Sequence, residues 1–510
     1  MDSLIPLFVI VPLGTAFLMA IFGRVIKGFN KVLLPLSLLF LCYLVIRFML
    51  KETGVSVYKV GGFEPVNGIP IAIYMIIDGL SKFMLLIIST IGFISSFYAI
   101  SYISKFTAER KFFILFSLMI AGMNGIVISG DIFNIFVFLE IAAISSYALV
   151  AFGVEKQELE ASFKYQILSG VASIVILLSI GFIYWQTGTL NIADISSVLP
   201  YKGVFTKFVA ILFIVGFGLK AAMFPFHSWL PDAHSSAPSP ISAMLSGVFI
   251  KAVGLYVIFR LFFNMFAFSY ELSFMIAILG TLSMIVGVLL AIGQWDIKRL
   301  LAYHSISQMG YVVMAIGIGM TILSNNGNKT VAAFSIFGGL YHLINHSVFK
   351  SLLFLNAGSI EYSTGTRNLR KLGGLASVMP ITSTSSFIAS MSISGIPPFN
   401  GFFSKLIIII AAVQARYYFF ALMAVIVSII TLGSFLKIQK YAFYNKDKSN
   451  WEGKNIKESP FSMSFAMIIL AVLCLGLSLF LIPTLKNVIL NPAVDVLING
   501  LKYSMAVIGY

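Results

Sequence analysis

The sequence predicts an all-α polytopic membrane protein, and three observations carry that prediction. Of its 510 residues, 59% are hydrophobic and only 10% charged, against about a quarter charged in ordinary soluble domains. The mean hydropathy of +0.99 belongs to the whole chain and not to a single anchor. Apolar runs of about 18 residues or more, the length that crosses a hydrocarbon core, recur from one end to the other between charged residues or Pro/Gly/Asn breaks. A soluble globular protein is excluded.

Taken in order, these runs give about fourteen transmembrane helices. They lie near residues 3–23, 31–50, 71–103, 111–129, 131–153, 160–187, 204–231, 237–267, 271–293, 296–322, 331–361, 376–413, 416–444 and 461–484. The first has no basic segment before it and no small-residue cleavage site ahead of Arg24, so it reads as a mature helix and not a leader. An even number of crossings puts both termini on one side. Lys and Arg concentrate in one set of loops, among them Lys27, Lys105, Lys111, Lys298, Arg299 and Arg367. Such loops stay in the cytoplasm, which places both termini outside a multi-pass protein of the cell membrane. The longest polar stretch, 445–460, reads as a basic loop between the last two spans.

The net charge of +15 does not indicate nucleic acid, because no basic cluster is set in a soluble fold that could present it. The basic residues set topology instead. The two cysteines, Cys42 and Cys474, stand far apart in apolar runs, with no disulfide framework and no metal or iron–sulfur spacing. We expect no cofactor, no metal, and no catalytic residues of a redox or hydrolytic active site.

Two spans are broken by proline near mid-membrane. GFGLKAAMFPFHSWLPDAH carries Pro225 and Pro231; SISGIPPFNGFFSK carries Pro397 and Pro398. Proline removes a backbone donor and clashes with the preceding turn, so each span should be a helix, a short unwound stretch and a second helix. Irregular backbone survives in a membrane only where it lines protein or a water cavity. The broken spans are the seventh and the twelfth. Their spacing gives a repeat of five helices, helices 4–8 and 9–13, and an odd number forces inverted topology.

An ionisable residue deep in a span is costly and marks function. Glu140 lies in DIFNIFVFLEIAAISSYALVAF. Lys220 precedes the first break, Lys251 sits in the next helix, and Lys405 follows the second break. His342, His346 and Lys350 are four apart and share one helix face. Burial brings lysine and glutamate towards exchange near neutral pH, where imidazole already titrates, so the row suits proton movement. The plainer reading of Glu140 with Lys220 is an ion pair that glues helices. His342 and His346 lack the histidine pair on another span that haem or a metal would need. His227 and His234 flank Trp229 and Asp232 near the end of the broken span, where capping and proton uptake both remain open. His304 reads as a polar lining residue. Asp78 and Lys82 read first as a local i, i+4 pair.

At these residues the chain resembles a known family. DIFNIFVFLEIAAISSYALVAF, FGLKAAMFPFHSWLPDAHSSAPSPISAMLSGVFIKAVGLY, QWDIKRLLAYHSISQMGYVVMAIG, NHSVFKSLLFLNAG and SGIPPFNGFFSK are similar, in order over about residues 70–440, to the antiporter-like subunits of complex I, Mrp-type sodium/proton antiporters and energy-converting membrane-bound hydrogenases. The D-type Mrp subunit is the nearest in appearance. The resemblance implies fourteen helices with two inverted five-helix repeats. It also implies roles: Glu140 and Lys220 as the glutamate–lysine pair of the fifth and seventh helices, and Lys251 as the connecting lysine of the eighth. His346 and Lys350 would form the relay of the eleventh, and Lys405 the terminal lysine of the twelfth. Ser246 departs from relatives that carry histidine there, and Lys405 from those that carry glutamate.

The resulting expectation is a proton-translocating, antiporter-like subunit of a multisubunit ion-pumping complex. Protons would pass along Glu140, Lys220, Lys251, His346, Lys350 and Lys405, with His227, Asp232, His234, His304 and His342 secondary or gating. The implied partners are other membrane subunits, including neighbouring antiporter-like ones, and lipid. The alternatives are sodium/proton exchange by this chain itself and a structural or quinone-site scaffold; for sodium, Glu140 is the one deeply buried carboxylate foreseen. The expected organisation is an N-terminal three-helix segment (1–105), a first repeat (106–268), a second (269–445), and the basic loop, last helix and tail (446–510).

Overall fold

The computed structural model describes residues 2–51, 54–66, 69–199, 203–266, 269–445, 456–500 and 502–508. Most of the expected basic loop, 446–455, lies outside the described residues. The chain is helical almost throughout, and eleven of its described helices are long and apolar enough to cross a membrane. In chain order the helices begin with α1 (Leu7–Phe22), α2 (Phe29–Lys51), α3 (Gly79–Tyr102), α4 (Glu109–Ile128), α5 (Ile132–Val150) and α6 (Lys156–Thr187). A short helix α7 (Ile192–Val198) precedes the first broken span, α8 (Val204–Lys220) and α9 (Trp229–Ser236). Next come α10 (Ser239–Asn264), α11 (Tyr270–Ile292), α12 (Ile297–Ser324) and α13 (Lys329–Thr364). The second broken span is α14 (Pro380–Ser394) and α15 (Asn400–Gln414), followed by α16 (Tyr418–Ile438) and α17 (Phe461–Gly476). Two short helices, α18 (Asn491–Ile498) and α19 (Lys502–Ile508), close the described chain.

Burial sorts these helices into a centre and a rim. α10 is buried along its whole length, and α12 and α13 nearly so, whereas α1, α2, α6 and α16 turn large side chains such as Phe17, Tyr43, Phe163 and Ile429 outward. In a bilayer the outward residues meet lipid, so apolar exposure here is the normal state of the rim. The centre is correspondingly the place where polar groups collect.

One boundary expected from hydropathy is corrected. The third span begins at Gly79, not near 71, because Tyr74–Ile77 is a strand paired antiparallel with Ser56–Lys59, Ser56 opposite Ile77. Hydropathy does not separate an apolar strand from an apolar helix; the helix start is set by Asp78, whose carboxylate accepts from the Ser81 amide at 2.9 Å.

Two backbone clasps give the fold an internal likeness. The string Thr-Gly-Thr-Leu-Asn ends α6 at 187–191, and Thr-Gly-Thr-Arg-Asn ends α13 at 364–368. In each the glycine is the left-handed cap, Gly188 at φ 70° and Gly365 at φ 73°, where a Cβ would be strained. The asparagines then bridge to aspartates: Asn191 to Asp131 and Asn368 to Asp296, and each aspartate caps the helix that follows it, α5 or α12. The hydrogen bonds correspond. Ile132 N donates to Leu190 O and Ile192 N to Gly130 O; Ile297 N donates to Arg367 O and Leu369 N to Trp295 O. The first clasp lies beside Tyr74, at the Gly79 end of α3, and the second beside a cavity that Tyr102 lines at the other end. At about 1.5 Å per residue those ends are some 35 Å apart.

A buried ion pair fastens the first end. Arg260 on α10 donates from Nη1 to Asp78 Oδ2 at 2.5 Å and from Nη2 to Asp78 Oδ1 at 2.9 Å, with Tyr256 and Ser81 completing its shell. The ion pair of Asp78 is thus made across the bundle, with Arg260, where the sequence pointed first to Lys82 on its own helix. Asp78 is 1% exposed and Glu140 31%, so the deeply buried carboxylate is Asp78, contrary to the expectation for Glu140. Removing one partner of such a pair strands the other's charge, at about 3–5 kcal/mol. Arg260→Met should therefore lower the midpoint of thermal aggregation of the detergent-solubilised protein, and adding Asp78→Asn should restore much of the loss.

Candidate functional site

The first broken span ends its regular part at Lys220, and the chain then runs irregularly to Ser228 before α9 begins. Pro225 lies in this break, and Pro231 falls in the first turn of α9, where a missing amide donor costs nothing. Lys220 therefore stands at a helix end inside the bundle, 2% exposed. Its ammonium donates to Ser169 Oγ at 2.7 Å and Ser173 Oγ at 2.9 Å, both on α6. Ser173 donates onward to Glu140 Oε1 at 2.5 Å, and Lys220 Nζ is 3.6 Å from the same oxygen. The expected Glu140–Lys220 pair is present, with Ser173 as its bridge. Glu140 opens to the flank of the bundle.

Lys251 is positioned by an irregularity with no proline in it. Within α10 the segments Leu245–Phe249 and Lys251–Leu255 are π-helical. Such turns widen the helix and displace its hydrogen bonds. The ammonium of Lys251 donates to Ser246 O at 2.7 Å and Gly247 O at 2.6 Å. Ser246 shares a hydrogen bond with Ser305 on α12 at 2.6 Å.

On α13, His342, His346 and Lys350 do share one buried face. His342 Nδ1 lies 3.0 Å from Ser404 Oγ on α15. His346 has no hydrogen-bond partner on either ring nitrogen, nor Lys350 on its ammonium, among the described residues. Lys350 Nζ stands 5.6 Å over the Phe354 ring. His346 lies within electrostatic reach of Lys251, Lys350, His342 and His234, and His342 of Lys405.

The second broken span unwinds over 395–399. Lys405 sits on α15 and reaches back across the break, donating to Ile393 O at 2.8 Å and Ser428 Oγ at 3.2 Å, with Nζ 4.9 Å over the Tyr311 ring. The break supplies the acceptor that the lysine uses. Gly395, at φ 79°, permits this crossing, since a Cβ there would press to 3.0 Å from the Lys405 stem.

The secondary candidates separate. His227 lies inside the first break beside the Phe224 ring, at 5.6 Å, and not near the end of the span. His234 is wholly buried on α9, its ring 5.2 Å from Phe354 and in electrostatic reach of Lys350 and Lys251. Asp232 binds Arg299 at 2.7 Å and Lys164 at 3.4 Å, the arrangement of a clamp between helices. His304 is buried against Phe435, at 4.8 Å, and lies within electrostatic reach of Lys350 and Lys405. No group of three or more His, Cys, Asp or Glu suited to a metal occurs among the described residues.

Reasoning from sequence missed Ser169 and Ser173. Their spacing of four puts both on one face of α6, and that spacing is the signal that was available.

The family described as NADH:quinone oxidoreductase/Mrp antiporter, transmembrane, matches residues 129–431, which span both broken helices and Lys220, Lys251, Lys350 and Lys405. The chain belongs to this family. Over 488 residues it is 34% identical to the D-type subunit of the Na(+)/H(+) antiporter of Alkalihalophilus pseudofirmus, covering 93% of this chain and 94% of that one. Its structure is similar to a chain of the Mrp complex from Dietzia sp., with TM-score 0.89, 27% identity and coverage of 100% and 99%. It is also similar to a chain of the membrane-bound sulfane sulfur reductase, an archaeal respiratory membrane complex, with TM-score 0.87, 27% identity and 99% coverage of each. The protein is accordingly an antiporter-like, polytopic membrane subunit of the Mrp and complex I type.

The exposed flank of Glu140 has a chemical consequence. A membrane-soluble carbodiimide should modify Glu140, detected by mass spectrometry of the peptide that contains it, and should spare Asp78. Glu140→Gln should abolish that label; preferential labelling of Asp78 would contradict the burial described above.

Proposed function

We propose that this subunit moves protons across its centre along Glu140, Lys220, Lys251, His346, Lys350 and Lys405, within a multisubunit membrane complex whose other subunits supply the driving reaction. The observation that carries this reading is a row in two parts: Glu140, Ser173 and Lys220 at hydrogen-bond or ion-pair range, and Lys251, Lys350, His346, His342 and Lys405 linked in turn at electrostatic range, with Gly254 on α10 packed against Ala221 where the two parts adjoin. A fixed scaffold needs each charge compensated. Here Lys350 and His346 have no hydrogen-bond partner among the described residues, and a buried polar group in that state recruits water, the remaining ingredient of a proton wire.

The pair Glu140–Lys220 acts as the switch in this scheme. When Glu140 is ionised it holds the ammonium of Lys220 through Ser173; a change at the exposed flank of Glu140 releases Lys220 to give its proton inward. Neighbouring membrane subunits would cover that flank, since a carboxylate is costly against lipid. Sodium is the weaker reading, because Lys220 already occupies the place beside Glu140 that a cation would need, and Arg260 the place beside Asp78. The two clasps support inverted repeats over 106–268 and 269–445, with about fourteen crossings in all. The basic end of the bundle, with Lys105, Lys298, Arg299 and Arg367, would face the cytoplasm of a cell-membrane protein and both termini the outside.

The test uses the purified complex in proteoliposomes with an entrapped pH dye, energised through its own driving reaction. Lys220→Met and Lys405→Met should each cut proton translocation about a hundredfold, the scale of losing one positioned proton-transfer group, with assembly retained on a native gel. Unchanged translocation with Lys220→Met would make the charged row a scaffold and overturn the proposal.

A further inference from the structure

Five of the six relay residues lie deep in the bundle, with Glu140 at its flank, and the structure holds a polar opening at one end of it. Beside the second clasp is a cavity of about 490 Å³, lined among others by Tyr102, Lys105, Glu158, Lys298, Glu361 and Arg367. Lys298, 2% exposed, meets Glu361 at 3.0 Å, and Arg367 meets it at 3.5 Å. Both signs of charge line this chamber, so it can hold water.

A row of hydroxyls leads from the chamber into the core. Tyr102 Oη donates to Ser239 Oγ at 3.4 Å. Gly358 on α13 faces that serine: a Cβ there would stand 2.5 Å from Ser239 Oγ and 2.8 Å from Tyr98 Oη, so the two hydroxyls converge on the bare glycine. Tyr98 Oη donates to Leu355 O at 2.9 Å. About one turn further along α13, Ser351 Oγ donates to Ala243 O at 3.3 Å and lies against Gly247, where a Cβ would collide with it. The carbonyl of Gly247 is an acceptor of the Lys251 ammonium. Tyr102 is 7% exposed and the other three hydroxyl residues 0%.

We propose that this seam of α3, α10 and α13, with its hydroxyls of Tyr102, Ser239, Tyr98 and Ser351, is a proton-access route joining the chamber to Lys251. It rests on the relay reading above. Each hydroxyl can accept one proton and give up another, so a proton passes with only O–H and N–H bonds made and broken, water spanning the wider gaps. The terminal acceptor is the neutral amine of Lys251, and reorientation of the hydroxyls resets the row. Two positions without a side chain, Gly358 and Gly247, leave the space that the row occupies.

The experiment compares Tyr98→Phe, Ser239→Ala and Lys220→Met in the assembled complex, measuring dye-reported translocation in H2O and D2O. Tyr98→Phe and Ser239→Ala keep volume and remove one hydroxyl each. The route predicts a fall of about tenfold or more in each, with assembly retained and a solvent isotope effect larger than wild type, because proton transfer through the gap becomes limiting. Wild-type rates in both, or slower rates with an unchanged isotope effect, overturn the route while a collapse in Lys220→Met leaves the relay standing. Loss of assembly in both conservative variants assigns the hydroxyls to packing and likewise overturns it. Full translocation in Lys220→Met removes the relay itself.

Discussion

In hydrocarbon a backbone carbonyl without a donor and an ammonium without an acceptor are both expensive, and this chain sets one against the other. Lys405 takes the carbonyl of Ile393 at the second helix break, and Lys251 the carbonyls of Ser246 and Gly247 at the π turns. Nearer the basic end, Lys298 binds Ala237 O and Arg367 binds Ser235 O, where α9 stops. Irregular backbone and intramembrane cations are thus two halves of one arrangement. Lys220, held by serine hydroxyls, and Lys350, without a hydrogen-bond acceptor among the described residues, stand outside it.

This arrangement also explains why the charges can be mobile. A carbonyl accepts a hydrogen bond without fixing the charge of its donor, whereas a carboxylate would hold the proton in place. Asp78 and Arg260 show the contrast, with two parallel hydrogen bonds and a supporting shell of Tyr256 and Ser81. That pair is anchorage. In the relay a carboxylate meets an amine at one place, Glu140 with Lys220, and there Ser173 stands between them.

The parts that were legible in the sequence are those whose signal is local. A lysine or glutamate inside an apolar run is conspicuous, and so is a proline in a predicted span, so Glu140, Lys220, Lys251, Lys350, Lys405 and both breaks could be found by reading. Ser169 and Ser173 were passed over because serine is common in apolar helices and only their spacing marks them. Arg260 and Asp78 are 182 residues apart, and no periodicity links them. The strand Tyr74–Ile77 is as apolar as the helix after it. The clasps are different: Thr-Gly-Thr-Leu-Asn and Thr-Gly-Thr-Arg-Asn are plainly repeated text, whose meaning appears only when each string is seen folded against its aspartate.

The π turns around Lys251 carry one further consequence. A π turn holds more residues than an α-helical one, so α10 can regain regular winding only by feeding its surplus length, about 1.5 Å per residue, towards one membrane surface. The carbonyls of Ser246 and Gly247 would then shift relative to the ammonium that rests on them. Winding of α10 and placement of the charge are therefore linked, because the turns that would move are those that carry both the lysine and its acceptors.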